Sequence, residues 1–225
     1  MKLLVCAATS KELTTFLRPG EALQDGAEPI FCDLGHVTLA ETGVGIPLTL
    51  MRLPPLLAAV GPDLVVNIGI AGAYPCSGVG IGSIVMARTE VFGDIGFELP
   101  CDPGFRPISE SLFGAGYERM TLECPNRLLG GEFGESVHEV DACTVNCCTG
   151  TAITGTMRET TLGVQVESME GAAVALACRH QGVPICEIRA ISNIASDRDM
   201  QPEGIRLALQ RLNSYWIACR DSGAI

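Results

Sequence analysis

Short apolar runs alternate with segments of helical periodicity along the whole chain. The apolar runs lie between glycine, proline and polar residues, which is typical of β-strands. They predict strands at residues 2–7, 37–42, 64–70, 83–87, 141–147 and 185–191. We expect the first to be the central strand of a sheet, and the run at 64–70 suits a strand buried on both faces. Residues 69–73 are predicted to form the loop after that strand.

Helices are predicted where apolar residues recur every three or four positions. Thr9 and Glu12 match a capping box, which predicts that a helix begins there. A second helix is predicted to open at Glu170 and to end near Gly182. A terminal amphipathic helix is predicted over residues 203–220.

Strands and helices alternate without an intervening linker rich in proline, glycine or serine. The pattern predicts one α/β domain over residues 1–225, with a central mixed β-sheet flanked by helices. Residues 90–139 are the least regular part, because proline, glycine and charged residues are frequent there. They are expected to form loops with one short helix near residues 109–116.

Composition and charge narrow the classes of partner. The formal net charge is −11 and the 15 lysine and arginine residues form no run, so nucleic acid and anionic membranes are poor partners. The most apolar stretch, residues 53–73, is interrupted by three prolines and Asp63 and is not expected to span a membrane. No signal peptide is apparent.

The eleven cysteines do not have the pattern of a disulfide framework or of a metal site. Their number is odd, no C-x-x-C pair occurs, and none of the three histidines lies at zinc-ligand spacing. We therefore expect the cysteines to be buried free thiols, the protein to reside in the reducing cytoplasm, and no metal to be bound.

Two glycine-rich turns each follow a predicted strand. Gly43-x-Gly45 and Gly69-x-x-Gly72 would let backbone N–H groups approach a ligand, although both could be plain strand-to-helix turns. Neither is a complete dinucleotide fingerprint or a P-loop, so no cofactor is expected.

Three carboxylates could carry chemistry or could only stabilise helix ends. Glu12 is either the partner of Thr9 in the capping box or a general base at the end of the first strand. Glu167 and Glu170 lie at a strand-to-helix junction, where the helix dipole stabilises a carboxylate, so each could simply cap the helix. Glu170 could alternatively accept two hydrogen bonds from a vicinal diol such as that of a ribose.

Asn193 follows the strand predicted at 185–191 and could be a turn former or a ligand of a purine. Its amide oxygen can accept from a protonated N7, and its NH₂ can donate to O6 of a 6-oxopurine. An aspartate at this position would suit a 6-aminopurine instead.

Five motifs in order resemble the nucleoside phosphorylase and nucleosidase superfamily. They are residues 1–12, Thr42-Gly43-Val44-Gly45, Asn67-Ile68-Gly69-Ile70-Ala71-Gly72, Glu167-Ser168-Met169-Glu170-Gly171-Ala172-Ala173 and Arg189-Ala190-Ile191-Ser192-Asn193. Within that superfamily, residues 67–73, 166–173 and 187–193 resemble the futalosine hydrolases of menaquinone biosynthesis.

The resemblance implies a cytoplasmic homo-oligomer that hydrolyses the N-glycosidic bond of a nucleoside and releases hypoxanthine. Glu12 would activate water, and Asn193 would stabilise the leaving base. Gly72, Cys147, Cys148, Met169, Glu170 and Ser192 would bind the substrate, with Met169 and Glu170 at the ribose. Related methylthioadenosine/S-adenosylhomocysteine nucleosidases have an aspartate where this chain has Asn193, which favours a 6-oxopurine here.

Other functions stay open at this point. A purine nucleoside phosphorylase would need a phosphate site, which such enzymes build from arginines near the first turn, but residues 7–10 contain none. A methylthioadenosine-type nucleosidase and a non-catalytic nucleoside-binding protein are further alternatives. Futalosine carries a benzoate on its 5′ arm, and the candidates to meet that carboxylate are Arg88, Arg106, Arg158 and Arg198.

Overall fold

The strands of one large sheet form the centre of the molecule. The computed structural model describes residues 1–23, 36–100, 104–125, 137–197 and 201–223, and the backbone of residues 31–33. The strands are β1 Leu3–Ala7, β2 Phe31–Asp33, β3 Val37–Glu41, β4 Leu64–Ala73, β5 Ile84–Phe92, β6 Gly96–Glu98, β7 Phe105–Pro107, β8 Met120–Thr121, β9 His138–Thr144, β10 Val166–Ser168 and β11 Ile185–Ile194. The helices are α1 Ser10–Leu13, α2 Ile46–Val60, α3 Ala152–Leu162, α4 Gly171–Gln181 and α5 Pro202–Asp221, and 3₁₀ turns cover Thr14–Phe16 and Ile108–Glu110.

The sheet is mixed, as the sequence predicts. Its strand order is β10-β9-β5-β11-β4-β1-β3-β2, with β8 beside β5. The ladders of β4 with β1 and β11 are parallel, whereas β5 runs antiparallel to β11. Strand β10 pairs with both β9 and β4, so the strands from β4 to β10 close on themselves. The single α/β domain with helices around a mixed sheet is confirmed.

Two features of the sheet differ from the prediction: the length of β4 and the position of β1. The segment 69–73 is not a loop: Gly72 and Ala73 of β4 pair with Glu167 and Val166 of β10, while β11 pairs along the other edge. Strand β1 is also not the central strand, since β4 and β11 occupy the middle of the order.

Residues 90–139 hold more strand structure than predicted. Strand β5 continues to Phe92, β6 and β7 form an antiparallel hairpin, and β8 pairs with β5. The helix expected near residues 109–116 is wrong, because only the 3₁₀ turn Ile108–Glu110 forms there. Ser111 has an extended backbone, with φ −114° and ψ 170°, and this ends the turn.

The helices cover the two faces of the sheet. Helices α2 and α4 share one apolar cluster with β1 and β4, built around residues such as Leu53, Leu57 and Val174. Helix α5 and the turn after α1 cover the other face, where Trp216 packs on Phe16 at a ring-centroid distance of 5.4 Å. The predicted terminal amphipathic helix is therefore confirmed, one residue longer at each end.

One pair of cysteines departs from the expectation of free thiols. Cys124 and Cys186 form a disulfide, with their Cα atoms 4.5 Å apart. The backbone N–H of Glu123 donates to the carbonyl of Ile185, which brings the segment after β8 alongside β11. In the described ranges, no helix is both long and apolar enough to cross a membrane.

Candidate active site

A cavity of about 280 Å³ opens at the carboxyl ends of β1, β4 and β11. Open α/β sheets commonly bind ligands at this position. Helix α1 and the start of α4 form two of its sides, and α5 contributes Ile205 and Leu209. The polar lining residues are Thr9, Lys11, Glu12, Thr149, Glu167, Ser168, Glu170, Ser192 and Asn193.

The two carboxylate oxygens of Glu12 have different partners. Oε2 accepts from the backbone N–H of Thr9 at 3.1 Å and from its hydroxyl at 2.8 Å, so the predicted capping box is confirmed. Oε1 accepts from the N–H of Ile70 at 3.0 Å. A carboxylate oxygen has two acceptor lone pairs, so the cap leaves Oε1 able to accept a further hydrogen bond. The cap and a role as base are therefore compatible.

Glu170 occupies the N-cap position of α4, but its side chain does not cap that helix. Its Oε1 accepts from the N–H of Gly45 at 3.0 Å, and Gly45 precedes α2 with a φ of 86°. The capping interpretation is therefore wrong for this carboxylate, which instead joins the starts of two helices. Burial raises the pKa of Glu170, and the nearby Arg189 opposes that rise.

Arg189 is a buried cation beneath the cavity. Its Nε donates to Oε1 of Glu187 at 2.8 Å, and its Nη1 lies 3.7 Å from Oε2 of Glu170. A Cβ on Gly69 would collide with Nη1 of Arg189 and would lie 2.6 Å from Oε1 of Glu12. The glycine at position 69 thus makes room for the guanidinium and the carboxylate to meet above β4.

A second buried carboxylate, Glu167, holds the segment that precedes α3. It accepts from the N–H and hydroxyl of Thr149 at 2.8 and 2.6 Å and from the hydroxyl of Tyr74 at 2.8 Å. Arg158 of α3 lies 3.4 Å from Glu167 and donates to the carbonyl of Cys147 at 2.9 Å. Glu167 belongs to β10 rather than to a helix cap, so the capping interpretation is wrong here also.

A β-bulge in β11 orients Asn193. The ladder with β4 pairs Ile191 with Ala71 and Asn193 with Gly72, which leaves Ser192 as the extra residue. The Ser192 hydroxyl lies 2.8 Å from Oδ1 of Asn193. A Cβ on Gly72 would lie 3.2 Å from Nδ2 of Asn193, so the glycine leaves space for the amide. Asn193 is inside the strand, which continues to Ile194, and is not a turn residue.

The cavity brings together most of the residues that the sequence singles out. Glu12, Gly72, Cys148, Met169, Glu170, Ser192 and Asn193 line it. Cys147 is outside that lining: it is exposed, and its N–H donates to Asp94 at 3.1 Å. The sequence interpretation missed Lys11 as a lining residue and gave no role to Arg189. Glu187 and Arg189 are charged residues two apart in an apolar strand, and that spacing places both on one buried face.

Three of the four arginines considered for a 5′ carboxylate lie elsewhere or are already bonded. Arg158 is buried against Glu167, and Arg88 pairs with Asp141 at 2.8 Å. Arg106 lies over the ring of Phe97 at 5.5 Å, away from the cavity lining. Arg198 lies outside the described residues. In the described part of the chain, no group of three or more His, Cys, Asp or Glu residues is placed to hold a metal ion.

Comparison with known proteins agrees with this arrangement. The sequence model of the phosphorylase superfamily matches residues 3–214 of this chain. The chain belongs to the phosphorylase superfamily. Futalosine hydrolase of Streptomyces coelicolor is 32% identical over 196 residues, covering 73% of this chain and 79% of that protein. Futalosine hydrolase of Thermus thermophilus is 32% identical over 164 residues, covering 71% and 70% respectively.

A solved structure shows the same fold. The structure of a futalosine hydrolase mutant of Helicobacter pylori superposes with a TM-score of 0.80 and covers 99% of both chains. Its sequence identity to this chain is 20%, so this likeness concerns the fold alone.

We predict that Arg158→Met destabilises the protein by about 3 kcal/mol, because it leaves the buried Glu167 without its cation. The loss stays at the low end of the range for a broken buried ion pair because Tyr74 and Thr149 still donate to Glu167. Urea unfolding measures the change. The matched control is Arg88→Met, whose ion pair is half-exposed and should change stability by at most about 1 kcal/mol. Equal effects of the two variants would contradict the prediction.

Proposed function

We propose that this protein hydrolyses the N-glycosidic bond of futalosine, releasing hypoxanthine and dehypoxanthine futalosine in menaquinone biosynthesis. Two futalosine hydrolases are its relatives at 32% identity. The observation that carries the proposal is that Glu12, Glu170 and Asn193, from three separate elements, line one cavity of about 280 Å³. They supply a base, a diol acceptor and a base-recognising amide.

Asn193 provides the contact to the leaving base. Its Oδ1 accepts from Ser192 and retains a lone pair for N7–H of hypoxanthine, while Nδ2 donates to O6. As the glycosidic bond breaks, electron density moves onto the purine, and hydrogen bonds oriented beforehand stabilise it. An amide has no acidic proton to give, so the leaving base must already carry its N7 proton.

Glu170 and Glu12 act on the sugar. Glu170 is fixed by Gly45 and accepts the 2′ and 3′ hydroxyls, with Met169 beside the ring. Glu12 takes a proton from water as that water attacks the anomeric carbon, which accumulates positive charge in the transition state. General-base catalysis of this kind typically contributes about 10²–10⁴-fold to the rate.

Water suits this site as a nucleophile better than phosphate does. Lys11 is the one cation in the described lining of the cavity. Arg189 lies beneath the cavity among carboxylates that include Glu170 and Glu187. The carboxylate of Glu12 would repel a phosphate dianion at the position of attack. Hydrolysis is therefore favoured over phosphorolysis.

Lys11 is the residue we propose for the benzoate of the 5′ arm. It lies on α1 next to Glu12 and lines both the main cavity and an adjoining hollow of about 570 Å³. Ile205 and Leu209 line both spaces as well, and Arg206 lines the hollow. An apolar wall with cations at its edge matches an aromatic ring that bears a carboxylate.

We also propose that the protein works as a cytoplasmic homo-oligomer. Val44, Leu48 and Met51 are exposed apolar residues at helical spacing around the start of α2, beside the cavity. Such a cluster suits contact with a second copy of the chain. Light scattering after size-exclusion chromatography measures the mass, and a monomer at micromolar concentration would contradict this part.

The reaction is tested by chromatography of futalosine incubated with the protein, with and without phosphate. We expect hypoxanthine release that does not depend on phosphate and that falls by about 10²–10⁴-fold in Glu12→Gln. The variant should still bind futalosine, because the amide retains an oxygen to accept from Ile70. Release only with phosphate would point to a phosphorylase, and binding without any release by the unaltered protein would point to a nucleoside-binding protein.

Asn193→Asp tests recognition of the base. We expect weaker turnover of hypoxanthine nucleosides and a gain on the 6-amino analogue, because a protonated aspartate donates to N7 and accepts from the 6-amino group. The ratio of kcat/KM for futalosine to that for 6-amino-6-deoxyfutalosine should fall by about tenfold or more, since one good hydrogen-bond pair contributes about 1.5 kcal/mol. An unaltered ratio would remove Asn193 from base recognition.

Lys11→Met tests the 5′ subsite, because it keeps the aliphatic stem and removes the charge. We expect KM for futalosine to rise about 2–5-fold, as for an exposed ion pair, while KM for inosine stays the same. Lys2→Met, an exposed lysine remote from the cavity, is the matched control. A parallel change for both substrates in Lys11→Met would show that the lysine does not meet the 5′ carboxylate.

A further inference from the structure

Two buried glutamates that the proposed mechanism does not use lie behind Arg189. Glu90 on β5 and Glu187 on β11 are both fully buried. Oε1 of Glu90 and Oε2 of Glu187 have no hydrogen-bond partner among the described residues. A Cβ on Gly171 would collide with Oε1 of Glu90 and would lie 2.6 Å from Oε2 of Glu187. The two unpartnered oxygens therefore both lie within 2.6 Å of the one point that the missing Cβ of Gly171 leaves open.

The remaining oxygens of these two carboxyl groups are already bonded. Oε2 of Glu90 accepts from the hydroxyl of Thr144 at 3.1 Å, and that hydroxyl in turn accepts from the N–H of Ala172 at 2.6 Å. Oε1 of Glu187 accepts from Nε of Arg189 at 2.8 Å. Each carboxyl group thus has one satisfied oxygen, and the unsatisfied oxygens adjoin.

Charge balance requires a proton in this cluster. Four buried carboxyl groups, those of Glu12, Glu90, Glu170 and Glu187, surround the guanidinium of Arg189. Glu12 and Glu170 border the cavity, whereas Glu90 and Glu187 lie away from water. Two anions beside one guanidinium would leave one uncompensated buried negative charge, which is costly. Adjacent buried carboxyl groups relieve such repulsion by sharing a proton.

We propose that Glu90 and Glu187 share one proton, carried by Oε1 of Glu90 and donated to Oε2 of Glu187, and that this pair positions Arg189 for the reaction. Glu187 then remains an anion and holds Nε of Arg189, while Nη1 stays beside Glu12 and Glu170. This role rests on the proposed function, since it concerns the geometry of Glu12 during attack by water. Both glutamates are positioning residues that act through Arg189.

The electrostatic surroundings agree with this assignment. Burial, followed by the negative charge of Glu187, raises the pKa of Glu90 well above its usual range. Although burial alone would lower it, the charges of Glu187, Glu170 and Glu12 raise the pKa of Arg189. The other titratable groups facing the cluster are Cys6 on β1, Cys143 on β9 and Cys178 on α4. Burial raises the pKa of all three thiols, so they stay neutral.

Glu90→Gln and Glu187→Gln discriminate the two positions of the proton. The amide introduced by Glu90→Gln can accept from Thr144 and donate to Glu187 as the protonated acid does, so this variant should rescue most of the kcat that Glu90→Leu loses. Glu187→Gln leaves the negative charge on Glu90 instead, remote from Nε of Arg189. We expect its kcat for futalosine to fall about 10–100-fold with a smaller change in KM, as for a displaced catalytic group.

The pH profile separates positioning from a purely structural role. In Glu187→Gln, Arg189 lacks its anionic partner and the negative charge moves to Glu90, so the pH profile of kcat/KM should shift relative to that of the unaltered protein. Glu139→Gln, which changes an exposed glutamate on β9, is the matched control and should leave the profile unchanged. Equal loss of kcat in Glu90→Gln and Glu187→Gln, loss only in Glu90→Gln, or changes confined to thermal stability would each overturn the proposal.

Two readouts do not depend on turnover, so they stay informative if the protein does not cleave futalosine. The infrared spectrum of the unaltered protein minus that of Glu90→Gln, both at neutral pH, should contain the C=O stretch of a protonated carboxylic acid that the variant lacks. Because the folded state keeps a proton that the unfolded state releases, stability should fall as pH rises above the usual glutamate range, and less so in Glu90→Gln. Absence of the stretch in the unaltered protein would refute the shared proton.

Discussion

The burial of one guanidinium among carboxylates is the constraint on which the rest of the site depends. Arg189 is 2% exposed, and it extends from β11 across β4 towards the end of β1. A buried cation is stable only with anionic partners in good geometry. Glu187 holds it from behind, its Nη1 lies 3.7 Å from Glu170, and Gly69 leaves open the space beside both Nη1 and Oε1 of Glu12. The same cation therefore lies beneath both proposed reactive carboxylates, while hydrogen bonds from Thr9, Ile70 and Gly45 hold them in place.

The backbone makes room for this cluster at two glycines. Gly69 lies beneath the contact between Arg189 and Glu12, and Gly171 lies against Glu90 and Glu187. Any side chain at either position would collide with the charged groups. Neither glycine has a positive φ, so the reason for a glycine at each position is space and not backbone conformation. Gly69 is consequently a position where side chains cross strand β4, whereas Gly72 of the same motif lines the cavity.

A second cluster supports the opposite side of the cavity. Strand β10 pairs with β4 as well as β9, and this places Glu167 beside Gly72. Glu167 then anchors Thr149, Tyr74 and Arg158. The base side of the proposed site thus rests on a separate network from the ribose side. Separate networks allow recognition of the base to be altered by Asn193 without disturbing the position of Glu12.

Local patterns along the chain are enough to predict the α/β class with a mixed sheet, the capping box at Thr9 and Glu12, and seven of the residues that line the cavity. Local periodicity and short motifs carry that information. Contacts between distant parts of the chain decide that β4 continues through residues 69–73, that Lys11 lines the cavity and Cys147 does not, and that Arg158 pairs with Glu167. They also place Glu90 against Glu187, which are far apart in sequence. These outcomes depend on pairing between distant strands and on charge balance in a shared interior, and neither is encoded in any local segment.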